Sequence, residues 1–264
     1  MHSSSVGVRH SMTKGQEMFL AWLLFHSIIL VMDLKKRWIA IYGSVIVMTL
    51  VLTFGTRMYI PVIYSGNVIP RKNCIVIDAG HGGIDGGATS CTGILESRLN
   101  LEIALKLEAV LHLLGHDTTM IRRTDISVYT SGDTIAQKKI SDLKERVRIV
   151  NETPNSILVS IHQNTFSDGR YSGPQVFYAS TSGSDTLARS MQSSLTEHLD
   201  PDGNRKSKRS SGIYLMEHIS CAGVLIECGF LSNPGEEKAL SDPGYQKKLS
   251  CVIASVLSSH LSNT

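Results

Sequence analysis

The sequence predicts an α/β domain whose sheet is covered by helices on both faces. Two observations carry that expectation. Short apolar runs bounded by turn residues alternate with stretches of helical periodicity from residue 73 onward. The helical stretches also gather their apolar residues on one stripe, which must be buried against a sheet. A sheet built from such units is covered on both sides.

The elements follow in order. "NCIVIDA" (73–79) is a first strand, short and apolar. The stretch 96–115 places Leu99, Ile103, Leu107, Val110, Leu111 and Leu114 at helical spacing, with Gly115 at the expected C-terminal cap. "TTMIRR" (118–123) reads as a strand, and residues 135–150 as a helix with Ile140, Leu143, Val147 and Val150 in one stripe. "SILVSIH" (156–162) and "PQVFYAS" (174–180) read as strands, and 184–199 as a helix with Leu187, Met191, Leu195 and Leu199 aligned. Strands are expected at "GIYLM" (212–216) and "GVLIECG" (223–229), then a closing helix over 243–261. There are no internal repeats.

The chain has 264 residues, 42% hydrophobic and 19% charged, with a formal net charge of +3, which suits one globular domain plus a small addition. No long Lys/Arg run with interleaved aromatics points to nucleic acid. "NRKSKRSSG" (204–212), the densest basic stretch, reads as a solvated loop. Five cysteines without a CxxC pair exclude a cysteine-only zinc site and a disulfide framework.

The N-terminal third is different. Lys35, Lys36 and Arg37 precede an uncharged run from Trp38 to Phe54. At about 1.5 Å per residue that run spans a slightly thin hydrocarbon core. Residues 32–55 therefore read as a signal anchor, uncleaved because no small-x-small site follows, with its C-terminal side outside the cytoplasm. Residues 1–31 read as an extension ahead of a start at Met32, and 56–72, with Pro61 and Pro70, as a linker. The expected location is membrane-anchored with an extracytoplasmic domain.

In open α/β sheets ligands bind at the carboxyl ends of the strands. His81 lies just past one strand, His162 ends another, and Glu227 lies near the end of a third. The 82–95 loop is long enough to return Glu96 to His81. Two imidazoles, one carboxylate and an open position make a catalytic zinc site. Asn100, four residues after Glu96 on the same helix face, can orient its carboxylate. Side chains alternate along "LIECG", so only one of Glu227 and Cys228 faces the metal. Glu227 is the natural general base and Cys228 belongs to the core. Gly82 and Gly83 allow close approach of backbone, and His218 is a rival ligand.

"IVIDAGHGGIDGGA" (75–88), "ESRLN" (96–100), "SIHQN" (160–164) and "LIECGFLSNPGE" (225–236) together resemble the zinc-dependent N-acetylmuramoyl-L-alanine amidases of the Amidase_3 type. The resemblance covers residues 73–262. It implies a mixed, mostly parallel, about six-stranded sheet, Zn2+ held by His81, Glu96 and His162, and Glu227 as the catalytic glutamate. It also implies a groove for peptidoglycan with Gly82 and Gly83 as its floor and Asn164 at its edge. The family's proline before the last strand is replaced in "CAGVLIE" by Ala222. A lone catalytic domain behind a short anchor is most similar to the spore-cortex, germination-specific subgroup, which strips stem peptides before muramic-δ-lactam forms. The expected partners are peptidoglycan, the membrane through the anchor, and an activating protein. Two other readings stay open here: an inactive peptidoglycan-binding protein on this fold, and another cell-wall zinc hydrolase, a deacetylase or carboxypeptidase.

Overall fold

The computed structural model describes residues 73–262, together with isolated helical positions at Met18, Tyr42, Ser44, Ile46, Met48 and Thr49. The chain divides into two units, Met1–Val68 and Ile69–Thr264. The 1–31 extension, most of the 32–55 anchor and the 56–72 linker lie outside the described residues. Among the described residues no helix is long and apolar enough to cross a membrane.

The second unit alternates as the pattern demands. Its strands are β1 (Cys74–Ala79), β2 (Asp117–Met120), β3 (Ser156–Asn164), β4 (Gln175–Tyr178), β5 (Lys208–Arg209) and β6 (Ala222–Phe230). Its helices are α1 (Glu96–Leu113), α2 (Ile135–Glu152), α3 (Ser184–Leu199), α4 (Tyr214–His218), α5 (Pro234–Leu240) and α6 (Pro243–Ser262). The strands form one six-stranded sheet in the order β2-β1-β3-β6-β4-β5. All neighbours are parallel except β4 against β6. The sheet is mixed and mostly parallel.

Both faces are buried, so the central strands read as apolar runs. On one face Ile75, Ile77, Val159, Ile161, Val224 and Ile226 pack against the apolar stripes of α1, α3 and α6. On the other, Val76, Leu158 and Leu225 meet Val150 of α2 and Leu215 and Met216 of α4. Burying such a side chain stabilises by roughly 1.5–3 kcal/mol.

Three local expectations need correction. "GIYLM" contains a short helix rather than a strand: Glu217 N donates to Ile213 O and Ile219 N to Leu215 O, and the Tyr214 and His218 rings stack at 3.9 Å. A five-residue apolar run carries too little periodicity to separate the two. In α2, Ile140 and Leu143 are 54% and 38% exposed, while Ser141, Arg146 and Val150 are buried. The helix is turned to bring Arg146 under the end of β1. Finally, β2 stops at Met120, and Arg122 leaves the strand to enter the interior. Helix α5 had readable signals: Asn233 Oδ1 caps Gly235 N and Glu236 N, and Pro234 opens the first turn.

Two buried arginines hold the end of β1. Arg146 pairs with Asp78, which is 1% exposed, and donates to Ala79 O at 3.1 Å and His81 O at 2.7 Å. Arg122 donates from Nε to Ala79 O at 2.8 Å and from Nη2 to Gly80 O at 2.9 Å and Ser97 O at 2.7 Å. Ser160 Oγ completes the Asp78 carboxylate at 2.6 Å. Burial by itself would raise the Asp78 pKa, but the Arg146 charge, the His162 charge and the Ser160 and Arg146 hydrogen bonds together outweigh it and hold the carboxyl below its ordinary range. Removing one partner of a buried pair leaves an uncompensated charge. Arg146→Met should therefore lower the unfolding free energy by about 3–5 kcal/mol in urea denaturation. An unchanged midpoint would mean that the pair carries no stability.

Candidate active site

The site is built where three parallel strands end. Past Ala79 the chain leaves β1 and turns at His81, whose φ of 60° is in the left-handed region and is unusual for a non-glycine residue. The two arginines above grip the carbonyls of Ala79, Gly80 and His81, so the turn is fixed from beneath. Gly83 N donates to Asp125 Oδ1 and Ser127 Oγ to Gly82 O, which straps its outer side. Gly82 and Gly83 have φ of 132° and 58°, and an added Cβ would lie 2.4 Å from Ile126 O and 2.7 Å from Ser127 N. Glycine is required there because the turn packs on residues 126–127.

The loop returns as expected from its length. Glu96 N donates to Ala88 O, and α1 opens with the Glu96 carboxylate between two imidazoles. Glu96 Oε2 is 3.2 Å from His81 Nε2, and Oε1 is 3.0 Å from His162 Nδ1. The two rings meet edge to face at 5.0 Å. Ala88 N, Gln163 N and Asn100 Nδ2 also donate to this carboxylate, at 2.9, 3.1 and 3.2 Å. Asn100 in turn bonds Gly80 O and accepts from Gln163 Nε2.

Electrostatics follow from that arrangement. Burial opposes ionisation of both groups, yet mutual hydrogen bonds win. The His162 and His81 bonds hold Glu96 far below its ordinary pKa. For His81, burial lowers the pKa while the Glu96 bond and charge, then Asp85, raise it to about 9. A metal bound here would replace the His81 proton, because only the neutral imidazole ligates. Ligand atoms of His81, Glu96 and His162 all lie within 4.8 Å of one another, the one such His/Cys/Asp/Glu group among the described residues. This donor set suits zinc. Larger concavities exist, such as one of about 740 Å³ by Tyr178, Arg189 and Lys206, but they hold no such group.

Glu227 lies directly opposite His162 in the β3–β6 register. It is on the sheet face of Leu225, two residues earlier, while Cys228 points to the opposite core and is buried. Glu227 Oε2 is buried without a hydrogen-bond partner. Burial raises its pKa to about 6, with His162 opposing and Glu96 adding to the rise. An apolar cavity of about 210 Å³ adjoins the two imidazoles, walled by Leu143, Ile213, Leu215 and Leu225.

The remaining candidates separate. His218 bonds Tyr214 O through Nδ1 and is not in the ligand group. Asn164 sits at the register shift between β3 and β6, its side chain accepting from Thr165 N at 2.8 Å. Sequence reasoning missed Asp85, Gln163, Arg122 and Arg146. Only Asp85 had a signal, four residues after His81 in a tight turn.

The model of the N-acetylmuramoyl-L-alanine amidase family, Amidase_3, matches residues 75–259. The chain belongs to this family. It is 36% identical over 181 residues to the germination-specific N-acetylmuramoyl-L-alanine amidase of Bacillus subtilis (strain 168), covering 68% of this chain and 76% of that protein. Among solved structures, it is similar to the CwlD amidase from Clostridioides difficile in complex with the GerS lipoprotein. That match has a TM-score of 0.70 and 36% identity, over 73% of this chain and all of that one. The catalytic domain of CwlV from Bacillus (Paenibacillus) polymyxa matches with a TM-score of 0.60 at 27% identity, over 73% of this chain and 99% of that chain. The chain is thus a cell-wall N-acetylmuramoyl-L-alanine amidase.

Gly80 offers a test of how the ligands are seated. An added Cβ there would stand 2.2 Å from His162 Nε2, with no positive φ to strain the backbone. Gly80→Ala should keep the fold, by circular dichroism, but displace the His162 ring. NMR signals of the His162 ring should move away from their wild-type positions. Unchanged signals would mean that the ring is not displaced.

Proposed function

We propose that this amidase is a zinc enzyme in which His81, Glu96 and His162 hold the metal and Glu227 is the general base. The observation that carries the reading is the converging His–Glu–His group with an unpartnered carboxylate oxygen facing the same strand end. The bond cut is the amide between the lactyl group of N-acetylmuramic acid and L-alanine. When bound, zinc polarises the scissile carbonyl and lowers the pKa of water towards neutrality. Glu227 takes the proton of the attacking water and delivers it to the leaving nitrogen of L-alanine. Burial raises the Glu227 pKa above the ordinary carboxylate range, the direction that favours accepting a proton. Asn100 and Gln163 hold Glu96 so that its carboxylate stays between the imidazoles. Gly82 and Gly83 belong to the floor of the groove in which the polymer lies, with Asn164 at its edge.

We further infer a role in spore cortex modification, supported by similarity to the germination-specific amidase of Bacillus subtilis. The structure of the similar CwlD amidase in complex with the GerS lipoprotein supports a protein partner, for which we propose an activating role. Lys35, Lys36 and Arg37 before the 38–54 run support a membrane tether with the catalytic domain outside the cytoplasm.

Glu227→Gln nearly keeps the shape and removes the basic carboxylate. Zinc content should match wild type, while hydrolysis of peptidoglycan falls by about two orders of magnitude or more. Mass spectrometry should find released peptides beginning with L-Ala. Released acetate or single D-amino acids would indicate a deacetylase or carboxypeptidase, and a zinc-free Glu227→Gln would make Glu227 a ligand. For the tether, protease added to intact protoplasts should degrade the domain; a protected domain would refute the topology.

A further inference from the structure

We propose that Asp85 is a positioning residue for His81, fixing which ring nitrogen is free for the metal, and that Lys139 of α2 holds Asp85 in place. The inference rests on His81 being a metal ligand.

The Asp85 side chain makes one long backbone contact, accepting from Gly87 N at 3.5 Å, and the rest of the turn is held without it. Arg146 and Arg122 hold its carbonyls from below, and Asp125 and Ser127 strap its outer edge. Asp85 itself is fixed by its backbone: Asp85 N donates to Gly82 O, and Gly82 N donates to Asp85 O at 2.7 Å. That paired turn brings the Asp85 carboxylate beside the imidazole. Its Oδ2 is 2.9 Å from His81 Nδ1, and its Oδ1 is 2.8 Å from Lys139 Nζ.

What the backbone leaves unset is the ring. A neutral imidazole has one N–H and one lone pair, and the partner of one nitrogen decides the role of the other. A carboxylate accepts only, so Asp85 requires the N–H at Nδ1. Glu96 Oε2 faces Nε2 at 3.2 Å, so both ring nitrogens meet carboxylates here; when Nε2 gives up its proton to a metal, Asp85 keeps the N–H at Nδ1. Lys139 contributes from α2, the same helix that carries Arg146. One helix therefore supports both the backbone and, through Asp85, the ring of His81. Carboxylates of this kind behind a metal-bound histidine typically alter metal affinity by about 10–100-fold.

The test measures zinc affinity of the full chain by competition with a fluorescent chelator, alongside nitrogen-15 NMR of the histidine rings. Asp85 is partly exposed and its backbone pairing does not need the side chain, so Asp85→Ala should fold. It should bind zinc about 10–100-fold more weakly, and His81 should lose its fixed Nδ1–H pattern. Asp85→Asn retains an acceptor oxygen and should recover most of the affinity and the Nδ1–H signal. Lys139→Met should leave the tautomer intact and weaken zinc binding less than Asp85→Ala. Wild-type affinity in Asp85→Ala, or no recovery in Asp85→Asn, would overturn the proposal. His81→Ala is the control: if it keeps its zinc, the assignment of the metal centre fails rather than the role of Asp85. Unfolding of Asp85→Ala shifts the decision to the Asn variant, where a tautomer change would contradict the proposal.

Discussion

The buried contact of Arg146 with Asp78 is the constraint on which the site depends. A charge at the carboxyl end of a central strand is costly unless paired and hydrogen-bonded. Here the cost is offset by the carboxylates of Asp78 and Asp142, a serine hydroxyl on Asp78 and two carbonyls. The result is a strand end whose carbonyls at 79–81 are all hydrogen-bonded. His81 can occupy a left-handed conformation only because its carbonyl and those before it are gripped by two guanidiniums. Glu96 and His162 then meet a partner whose position is already determined.

The same pair explains the turn of α2. Its apolar stripe would place Ile140 and Leu143 inward, yet Arg146 goes in and they stay near the surface. The electrostatic requirement of the strand end outweighs a few apolar contacts. The exposed Leu143 is not idle, since it walls the cavity beside the imidazoles. Stability and the shape of the site are therefore set by one helix orientation.

Much of this was legible in the sequence, for physical reasons. Parallel strands end in loops that carry function, so His81, His162 and Glu227 could be placed at one sheet edge from their strand positions alone. Alternation separated Glu227 from Cys228, and the length of the 82–95 loop allowed Glu96 to return. What escaped were residues whose depth depends on packing. Arg122 and Arg146 look like ordinary surface side chains, while Gln163 shares the strand face of Val159 and Ile161 and only its polar character disguised its burial. The helix at Tyr214–His218 escaped because it is too short for periodicity to show.

The proposed catalysis requires a metal between His81, Glu96 and His162. An anomalous difference map from zinc-loaded crystals, collected on both sides of the zinc absorption edge, tests this most directly. The account predicts one strong peak within bonding distance of His81 Nε2, His162 Nδ1 and a Glu96 carboxylate oxygen, with Glu227 near but not bonded. A peak at another group, or zinc bonded through Glu227 in place of Glu96, would contradict it.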